Sequence, residues 1–273
     1  MKEIDQKWAA CIVYYQDRDA LNNLLNSLES QTFKPLNVFI ADNDSIEQIK
    51  IKSFSFPIKV IRLNENKGFA GGANVAINEA INNSFTNLML LSQDVLLEKD
   101  SAEKLFTQLD ISKGIVFPTM LNRNTNSVFS KGGEISKFWG SIKLATKDAP
   151  KDVDWADGSC LVFTSDLFKS VSGLNEKFFM YFEDVDFCLQ AKSKGFNLAH
   201  VLTIASQTPN GPSPLLRSRN SVLLARRTGS GLFKLSVTKR NILGAILLLA
   251  RLRFKDSKNR FKGIFQGWKM KID

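Results

Sequence analysis

The first half of the chain alternates two patterns of hydrophobic residues. Short apolar runs with polar residues at both ends are typical of buried parallel strands. They occupy residues 9–15, 36–41, 58–63, 87–91 and 114–118. A helical stripe follows the first run, at Leu21, Leu24, Leu25 and Leu28. Asp19 precedes this stripe and is the predicted helix cap. The alternation predicts an α/β fold, with a mostly parallel sheet and helices on both faces.

The regular alternation stops after Pro118. Residues 119–155 are rich in Asn, Ser, Lys and Gly, and this composition predicts loops with short strands. A further strand is predicted within 158–163, and Gly195 is placed to end a helix. Helices are predicted over residues 74–81, 101–109 and 184–194. The chain therefore continues as α/β structure after this interruption.

The end of the chain differs in charge from the rest. Beyond a predicted loop at 209–212, residues 217–273 carry fifteen Lys or Arg and two Asp. The local charge is +13 within a chain total of +10, so residues 1–216 carry −3. We therefore predict an α/β domain over 1–216 and a tail of two or three basic amphipathic helices over 217–273. Such a tail suits an anionic surface such as membrane phospholipid, and no nucleic-acid recognition motif accompanies it.

Composition excludes several classes of protein. With 44% hydrophobic and 23% charged residues among 273, the chain is neither disordered nor collagen-like. Three scattered cysteines, Cys11, Cys160 and Cys188, are too few for a disulfide framework and are expected as buried thiols. Residues 1–10 lack the apolar core of a secretory signal. The longest uncharged apolar run, 242–250, is shorter than the ~20 residues that span a bilayer. We expect a cytoplasmic protein, or one attached to the membrane from that side.

The polar residues that follow the strands are the candidate ligand-binding groups, because open α/β sheets bind ligands beyond the carboxyl ends of their strands. Residues 66–74 read NKGFAGGAN and open a predicted helix. Glycines allow a close backbone approach there, and a helix N-terminus favours an anion. The segment matches neither a phosphate-binding P-loop nor a dinucleotide fingerprint. An ordinary glycine turn is the alternative.

Carboxylates supply the candidate chemistry. Asp94 ends an apolar strand, where it would hold Mg²⁺ or Mn²⁺ or simply cap a turn. Glu183, Asp184 and Asp186 lie among aromatic residues at a helix start, where one of them would act as a general base or as an acidic helix cap. Glu183 and Asp186 share a side of that helix, whereas Asp184 points elsewhere. His200, the one histidine, is expected as a strand or core residue.

The order of these segments resembles that of a known family. DNDS, NKGFAGGAN, SQDV, GSCLVF, FFMYFEDVDFCLQAKSKG and RSRN follow one another as in bacterial family 2 glycosyltransferases. These enzymes have the GT-A fold, which is Rossmann-like, and the most similar ones are the rhamnosyltransferase and galactofuranosyltransferase-like enzymes of surface polysaccharide assembly. The resemblance covers roughly residues 8–227.

The resemblance implies roles for individual residues. Asp184 matches the catalytic base, with Glu183 beside it, and Asp94 matches the last acid of the metal-binding DxD motif. Arg219 and Asn220 match an RN pair that follows the active-site loop. Contacts with the donor nucleotide and its sugar are implied for Asp42, Asn43, Asn66, Gly68, Gly71, Gly72, Asn74, Asp157, Gly158 and Arg219.

The implied reaction is an inverting sugar transfer. The donor would be dTDP-rhamnose or a UDP-sugar, and the cofactor Mg²⁺ or Mn²⁺. The acceptor would be a hydroxyl of a lipid-linked saccharide in O-antigen or capsule synthesis. The basic tail over 217–273 would then hold the enzyme peripherally on the inner face of the cell membrane.

The sequence also departs from the family pattern. The DxD position reads Ser92-Gln93-Asp94, and Ser206 or Gln207 stands where the family places a metal-binding His. A weakened metal site follows, and a non-catalytic membrane-associated protein on a degenerate transferase fold is one alternative. The other is a sugar-phosphate nucleotidyltransferase. Residues 14–18 disfavour it, because they lack the expected glycine- and Lys/Arg-rich phosphate loop.

Overall fold

A computed structural model describes residues 7–47, 49, 51–150, 152–209 and 211–272. The segment 1–10 is predicted not to be a secretory signal, and its residues 1–6 lie outside the described residues. So do Asn210 of the predicted loop at 209–212 and Asp273 of the tail.

The strands and helices alternate along the described part of the chain. The strands are β1 Trp8–Tyr14, β2 Asn37–Asp42, β3 Ile58–Arg62, β4 Asn87–Ser92, β5 Leu96–Leu97, β6 Ile115–Asn122, β7 Ser127–Ser130, β8 Gly133–Ser136, β9 Ser141–Leu144, β10 Cys160–Thr164 and β11 Leu198–Gln207. The helices are α1 Arg18–Glu29, α2 Gly68–Asn82, α3 Ser101–Ser112, α4 Ser165–Ser170, α5 Glu183–Ser193, α6 Pro214–Thr228, α7 Gly231–Ala250 and α8 Phe254–Lys269, with a 3₁₀ turn at Glu176–Phe178.

One large sheet organises the molecule. Its strand order is β3-β2-β1-β4-β10-β6-β11-β5, with β7 paired to β6. Among the described residues, six of its nine strands (β1, β2, β3, β4, β6 and β11) run in one direction. The predicted mostly parallel sheet is therefore confirmed. The six strands end at one edge, and β10 begins there because it is antiparallel to β4.

Helices cover both faces of the sheet, as predicted. Side chains along β1 alternate between two cores: Cys11 and Val13 face one, and Ile12 and Tyr14 the other. The first core holds residues of α2, α4, α5 and α6, and the second holds residues of α1 and α3. The predicted leucine stripe of α1 is fully buried. All three cysteines are buried and unpaired, as expected.

Three boundary predictions were wrong. The helix predicted over 74–81 begins six residues earlier, at Gly68, so the glycine-rich segment forms its first turns. Its helical periodicity was hidden because glycines carry no apolar side chain. The strand predicted to end at Pro118 runs to Asn122 in parallel register with β11. The cap of α1 is Asp17, whose carboxylate accepts the Ala20 N–H, rather than Asp19.

The described part of the basic tail forms three helices, of which α6 begins at Pro214. The boundary predicted between residues 216 and 217 falls inside α6, and Leu223 and Leu224 of α6 belong to the core against the sheet. α7 and α8 lie further out and expose large apolar side chains. No helix of the described chain is long and apolar enough to cross a membrane.

Candidate active site

Three segments meet where the parallel strands end. Asp94 follows β4, Asp157 precedes β10, and Gln207 ends β11. The Gln207 amide nitrogen donates to Asp157 Oδ1 at 3.4 Å, and the Thr208 N–H donates to Asp94 Oδ2 at 3.2 Å. The structure thus brings together Asp94, Asp157 and the position where the resemblance expects a His.

The first turn of α5 completes this site. Asp184 Oδ2 accepts the Gly158 N–H at 3.0 Å, and Oδ1 accepts the Val185 N–H at 2.8 Å. A Cβ on residue 158 would lie 2.9 Å from the Asp184 Cβ, so a glycine is needed for this approach. Glu183 lies beside Asp184 and is buried. The predicted catalytic pair and the predicted Asp157-Gly158 segment therefore form one site.

Burial and mutual repulsion raise the pKa values of these acids. The pKa of Asp184 is raised to about 7, first by burial and then by the charge of Asp157. Burial, and less strongly the charge of Asp94, raises the pKa of Asp157. Burial and the charge of Asp184 raise the pKa of Glu183 well above its usual range. Within the described residues, the buried Glu183 Oε2 has no hydrogen-bond partner. Asp184 is thus poised to gain and lose a proton near neutral pH.

Arg123 is a site residue that sequence reasoning missed. Its Nη2 donates to the backbone carbonyl oxygens of Asp94 and Ser206. Its charge lowers the pKa of Asp94, although burial outweighs this effect and leaves that pKa raised. The signal in the sequence was the apolar pair Met120 and Leu121, which extends β6 beyond Pro118 and so places Arg123 at its carboxyl end. No salt bridge between described residues neutralises Asp94, Asp157, Glu183 or Asp184.

The backbone just before Glu183 is strained. We call residues 178–182 the aromatic turn. Phe179, Tyr181 and Phe182 have φ values of 64°, 68° and 74°. Residues with a Cβ rarely adopt this left-handed region, at a cost on the order of 1–3 kcal/mol each. Such a conformation persists only where surrounding contacts impose it.

Two helices impose the conformation of the aromatic turn. The Asn220 Nδ2 of α6 contacts the carbonyl oxygens of Phe178, Met180 and Tyr181 at 3.0, 2.9 and 2.7 Å. Arg219 Nη2 donates to the Phe178 carbonyl at 2.7 Å. From α2, the Ala70 N–H donates to the Phe179 carbonyl at 3.2 Å. The RN pair of α6 therefore holds the turn that leads into the candidate base.

Gly68 allows α2 to approach the turn. A Cβ at Gly68 would lie 2.2 Å from the Phe179 carbonyl oxygen, and the φ of Gly68 is +69°. No other residue type fits both conditions. The start of the glycine-rich segment is thus in direct contact with the aromatic turn.

Asp42, predicted to contact the nucleotide, is held inside the protein. Its Oδ2 accepts from Arg62 Nη1 at 3.0 Å, and its Oδ1 accepts the Ser45 N–H at 3.0 Å. Asn43 is also buried. Its amide donates to the Gly68 carbonyl at 2.9 Å and accepts the Lys67 N–H at 2.8 Å. Asn43 thus fixes the start of α2 against the end of β2.

The rest of the glycine-rich segment is likewise anchored. Asn66 Oδ1 accepts the Gly68 N–H at 2.9 Å, and Asn74 makes two hydrogen bonds of 2.8 and 2.9 Å with the Leu174 backbone. Cβ atoms at Gly71 and Gly72 would press on the Lys67 and Val13 side chains. Packing and hydrogen bonds within the protein therefore account for the Asn and Gly residues of this segment. The donor contacts that the resemblance implies for these residues remain predictions.

The acids fit a divalent cation only in part. No cluster of three or more His, Cys, Asp or Glu side chains in the described chain is arranged to hold a metal. Asp94 and Asp157 nevertheless form no salt bridge with a described residue, and they offer carboxylate oxygens, the donors that Mg²⁺ and Mn²⁺ prefer. They fit an ion whose remaining ligands come from a diphosphate. His200 lies in β11, with its Nε2 2.8 Å from Thr119 Oγ1, as expected of a strand residue.

Fold and site together define a class of protein. A twisted, mostly parallel sheet with acids gathered at its carboxyl edge is the architecture of GT-A glycosyltransferases. The profile of the family "Glycosyl transferase family 2" matches residues 9–169, which is more than half of the chain. The chain belongs to this family.

Two characterised relatives share part of the sequence. The low-salt glycan biosynthesis hexosyltransferase Agl10 of Haloferax volcanii is 26% identical over 194 residues, covering 68% of this chain and 62% of Agl10. The N-acetylglucosaminyl-diphospho-decaprenol L-rhamnosyltransferase of Mycobacterium tuberculosis is 25% identical over 213 residues, covering 64% of this chain and 66% of the relative. The chain thus spans less than two thirds of the length of these relatives.

A solved structure shares the fold. The crystal structure of S. aureus TarS residues 1–349 in complex with UDP matches with a TM-score of 0.52 at 16% identity. The match covers 97% of this chain and 76% of the TarS chain. At this identity the likeness supports the GT-A fold alone.

Proposed function

We propose that this protein is an inverting glycosyltransferase. It moves a sugar from a nucleotide-diphosphate sugar, dTDP-rhamnose or a UDP-sugar, to a hydroxyl of a lipid-linked saccharide in bacterial O-antigen or capsule synthesis. The observation that carries the proposal is the buried Asp184, whose pKa lies at about 7 beside Gly158 and the uncompensated Asp157. A carboxylate that titrates near neutral pH suits general-base catalysis.

The proposed step needs one base on the attacking side. As the acceptor hydroxyl oxygen bonds to the anomeric carbon, its proton passes to Asp184. The bond between that carbon and the diphosphate oxygen breaks, and its electron pair leaves with the nucleoside diphosphate. The attack comes from the face opposite the leaving group, so the configuration inverts and no covalent enzyme intermediate is required. Burial and the charge of Asp184 raise the pKa of Glu183, which favours its neutral form beside the ionised Asp184.

The donor would occupy the carboxyl edge of the sheet. The TarS structure contains UDP, and the mycobacterial relative is named as a rhamnosyltransferase, which supports a nucleotide sugar here. Asp94 and Asp157 would hold Mg²⁺ or Mn²⁺, which neutralises charge on the leaving diphosphate. Arg123 adds a permanent cation at the same edge. The glycine-rich segment at 66–74 would face the donor sugar.

The tail would bind the membrane. α7 and α8 expose apolar side chains between basic ones, as amphipathic helices at an anionic interface do. The exposed apolar residues are Leu232, Leu235, Ile242, Leu243, Ile246, Leu247, Leu249, Phe254, Phe261, Phe265 and Trp268. A protein that takes a lipid-linked acceptor benefits from this placement at the inner face of the cell membrane.

Calorimetric titration of UDP and dTDP into the purified protein, with and without Mn²⁺, tests the donor site. We expect one nucleotide to bind, and to bind more tightly with Mn²⁺. Binding that ignores Mn²⁺ would move the neutralising role to cations such as Arg123. If a folded protein binds neither nucleotide, the transferase proposal for these donors fails and a non-catalytic role replaces it.

A further inference from the structure

An open pocket of about 400 Å³ lies between α6 and α8. Its lining combines two cations, one amide and two apolar side chains. They are Arg219, Lys269, Gln266, Phe265 and Met270. Arg219, for which the resemblance implies a donor contact, lines this pocket, whereas the acids of the candidate active site do not.

The charges of the pocket are uncompensated. Neither Arg219 nor Lys269 forms a salt bridge with any described residue. The recorded partners of the Arg219 guanidinium are two neutral oxygens, the Phe178 carbonyl and Asn220 Oδ1. Lys269 Nζ lies 4.3 Å from the centre of the Phe265 ring. A half-buried guanidinium with neutral partners attracts an anion, because its desolvation is only partly offset.

The pocket is joined to the candidate base by Arg219. This side chain lines the pocket and also donates to Phe178, the first residue of the aromatic turn that leads into Asp184. Phe265, which also lines the pocket, is exposed, and the exposed Trp268 follows it on α8. A ligand held here would contact Arg219, which holds the aromatic turn, and the apolar side chain of Phe265.

We propose that the pocket between α6 and α8 binds the phosphate groups of the lipid-linked acceptor, with Arg219 and Lys269 as the cations. The lipid chain then lies along Phe265 and Trp268, and the sugar points towards the aromatic turn. This inference rests on the proposed function. The mycobacterial relative is named for a diphospho-decaprenol substrate, which has the same chemical parts. A membrane phospholipid headgroup carries the same phosphate chemistry, so the experiment separates the two sources.

The test compares Lys269→Glu with Lys239→Glu, an equal charge change on exposed Lys239 of α7, which does not line the pocket. Farnesyl diphosphate and farnesol are titrated into each folded variant by calorimetry. We expect Lys269→Glu to weaken farnesyl diphosphate binding about tenfold or more, because a charge-assisted contact is lost. Lys239→Glu should bind it like the wild type, and farnesol binding should be equal in all three proteins.

Equal farnesyl diphosphate binding by the two variants would overturn the proposal. Sedimentation with phosphatidylglycerol vesicles is the second arm. If Lys269→Glu lowers vesicle binding more than Lys239→Glu and leaves farnesyl diphosphate binding unchanged, the pocket takes headgroups and the acceptor assignment falls. UDP and dTDP titrations of the same samples separate the two proposals. If the wild type binds farnesyl diphosphate but neither nucleotide, the transferase proposal is contradicted and the proposal for the pocket is not.

Discussion

Buried acids at the same sheet edge differ in whether the fold supplies a counter-charge. Asp42, at the end of β2, has a salt bridge to Arg62 and an N–H donor on its other oxygen. Asp157, Glu183 and Asp184, around the starts of β10 and α5, have no salt-bridge partner among the described residues and have raised pKa values. A neutralised acid stabilises structure. A cluster of acids without a counter-charge lowers the stability of the fold, and such clusters are typical of catalytic sites.

Removing the uncompensated base should have the largest effect. We expect Asp184→Asn to lower kcat about a thousandfold or more, while UDP or dTDP affinity stays within a few-fold, because the base acts in the transition state. Steady-state kinetics and nucleotide titration measure the two quantities. Asp42→Asn is the matched change at the neutralised acid, and this variant should keep most of the wild-type kcat. Near-normal turnover in Asp184→Asn would remove the base assignment.

The amide that holds the aromatic turn can be tested against a similar buried amide. Asn220 contacts three carbonyls of that turn, whereas Asn241 of α7 donates to Ser221 and Val237, away from the acids. We expect Asn220→Ala to lower kcat about tenfold to a hundredfold, since small misplacements of catalytic groups have effects of this size. Asn241→Ala should keep kcat within about twofold at a comparable loss of Tm. Equal losses of kcat would reduce Asn220 to a purely structural residue.

The pH dependence of turnover reports on the base directly. Asp184 must be deprotonated to accept a proton, and its pKa is about 7. We therefore expect kcat to fall about tenfold per pH unit below that value and to level off above it. Stopped assays between pH 5 and 9 would show this limb. A profile that stays flat down to pH 5 would mean that another group takes the proton.

The smallest effects concern stability, and they should have opposite signs. Because the folded-state pKa of Asp184 is raised from 3.8 to about 7, folding binds protons between these values and stability falls as the pH rises through that window. Asp184→Asn should therefore raise Tm at pH 8, with a smaller gain at pH 5. Asp42→Asn should instead lose about 1–2 kcal/mol at pH 8, because it weakens charged hydrogen bonds. Thermal unfolding of both variants at the two pH values tests the contrast, which disappears if both lose stability at pH 8.

Much of the fold followed from local patterns. The apolar runs and the stripe of α1 sufficed for the sheet and its two-sided helical cover. The start of α2 did not follow, because its first turns contain Gly68, Gly71 and Gly72, which carry no apolar side chain and have low helix propensity. The extension of β6 beyond Pro118 depends on pairing with residues of β11 that lie 85 positions later, and local periodicity contains no such information.

The candidate site was predicted in outline only. The acids were found because their segments follow the family order, and the structure places Asp94, Asp157 and Asp184 together. What the sequence lacked were the partners. The pairing of Asp42 with Arg62 spans twenty residues, and the contact of Asn220 with the aromatic turn spans about forty. Such contacts decide whether an acid is neutralised, and they exist only once the chain has folded.

The contact between α6 and α8 has a consequence for the width of the pocket. Gly263 and Gly267 of α8 lie on the α6 backbone, and a Cβ at Gly267 would be 2.6 Å from the Arg219 carbonyl oxygen. Two helices whose main chains touch directly have a fixed separation, because no flexible side chain lies between them. Main-chain contact therefore sets the separation of α6 and α8 beside the pocket, and a single methyl group at residue 267 would push the two helices apart.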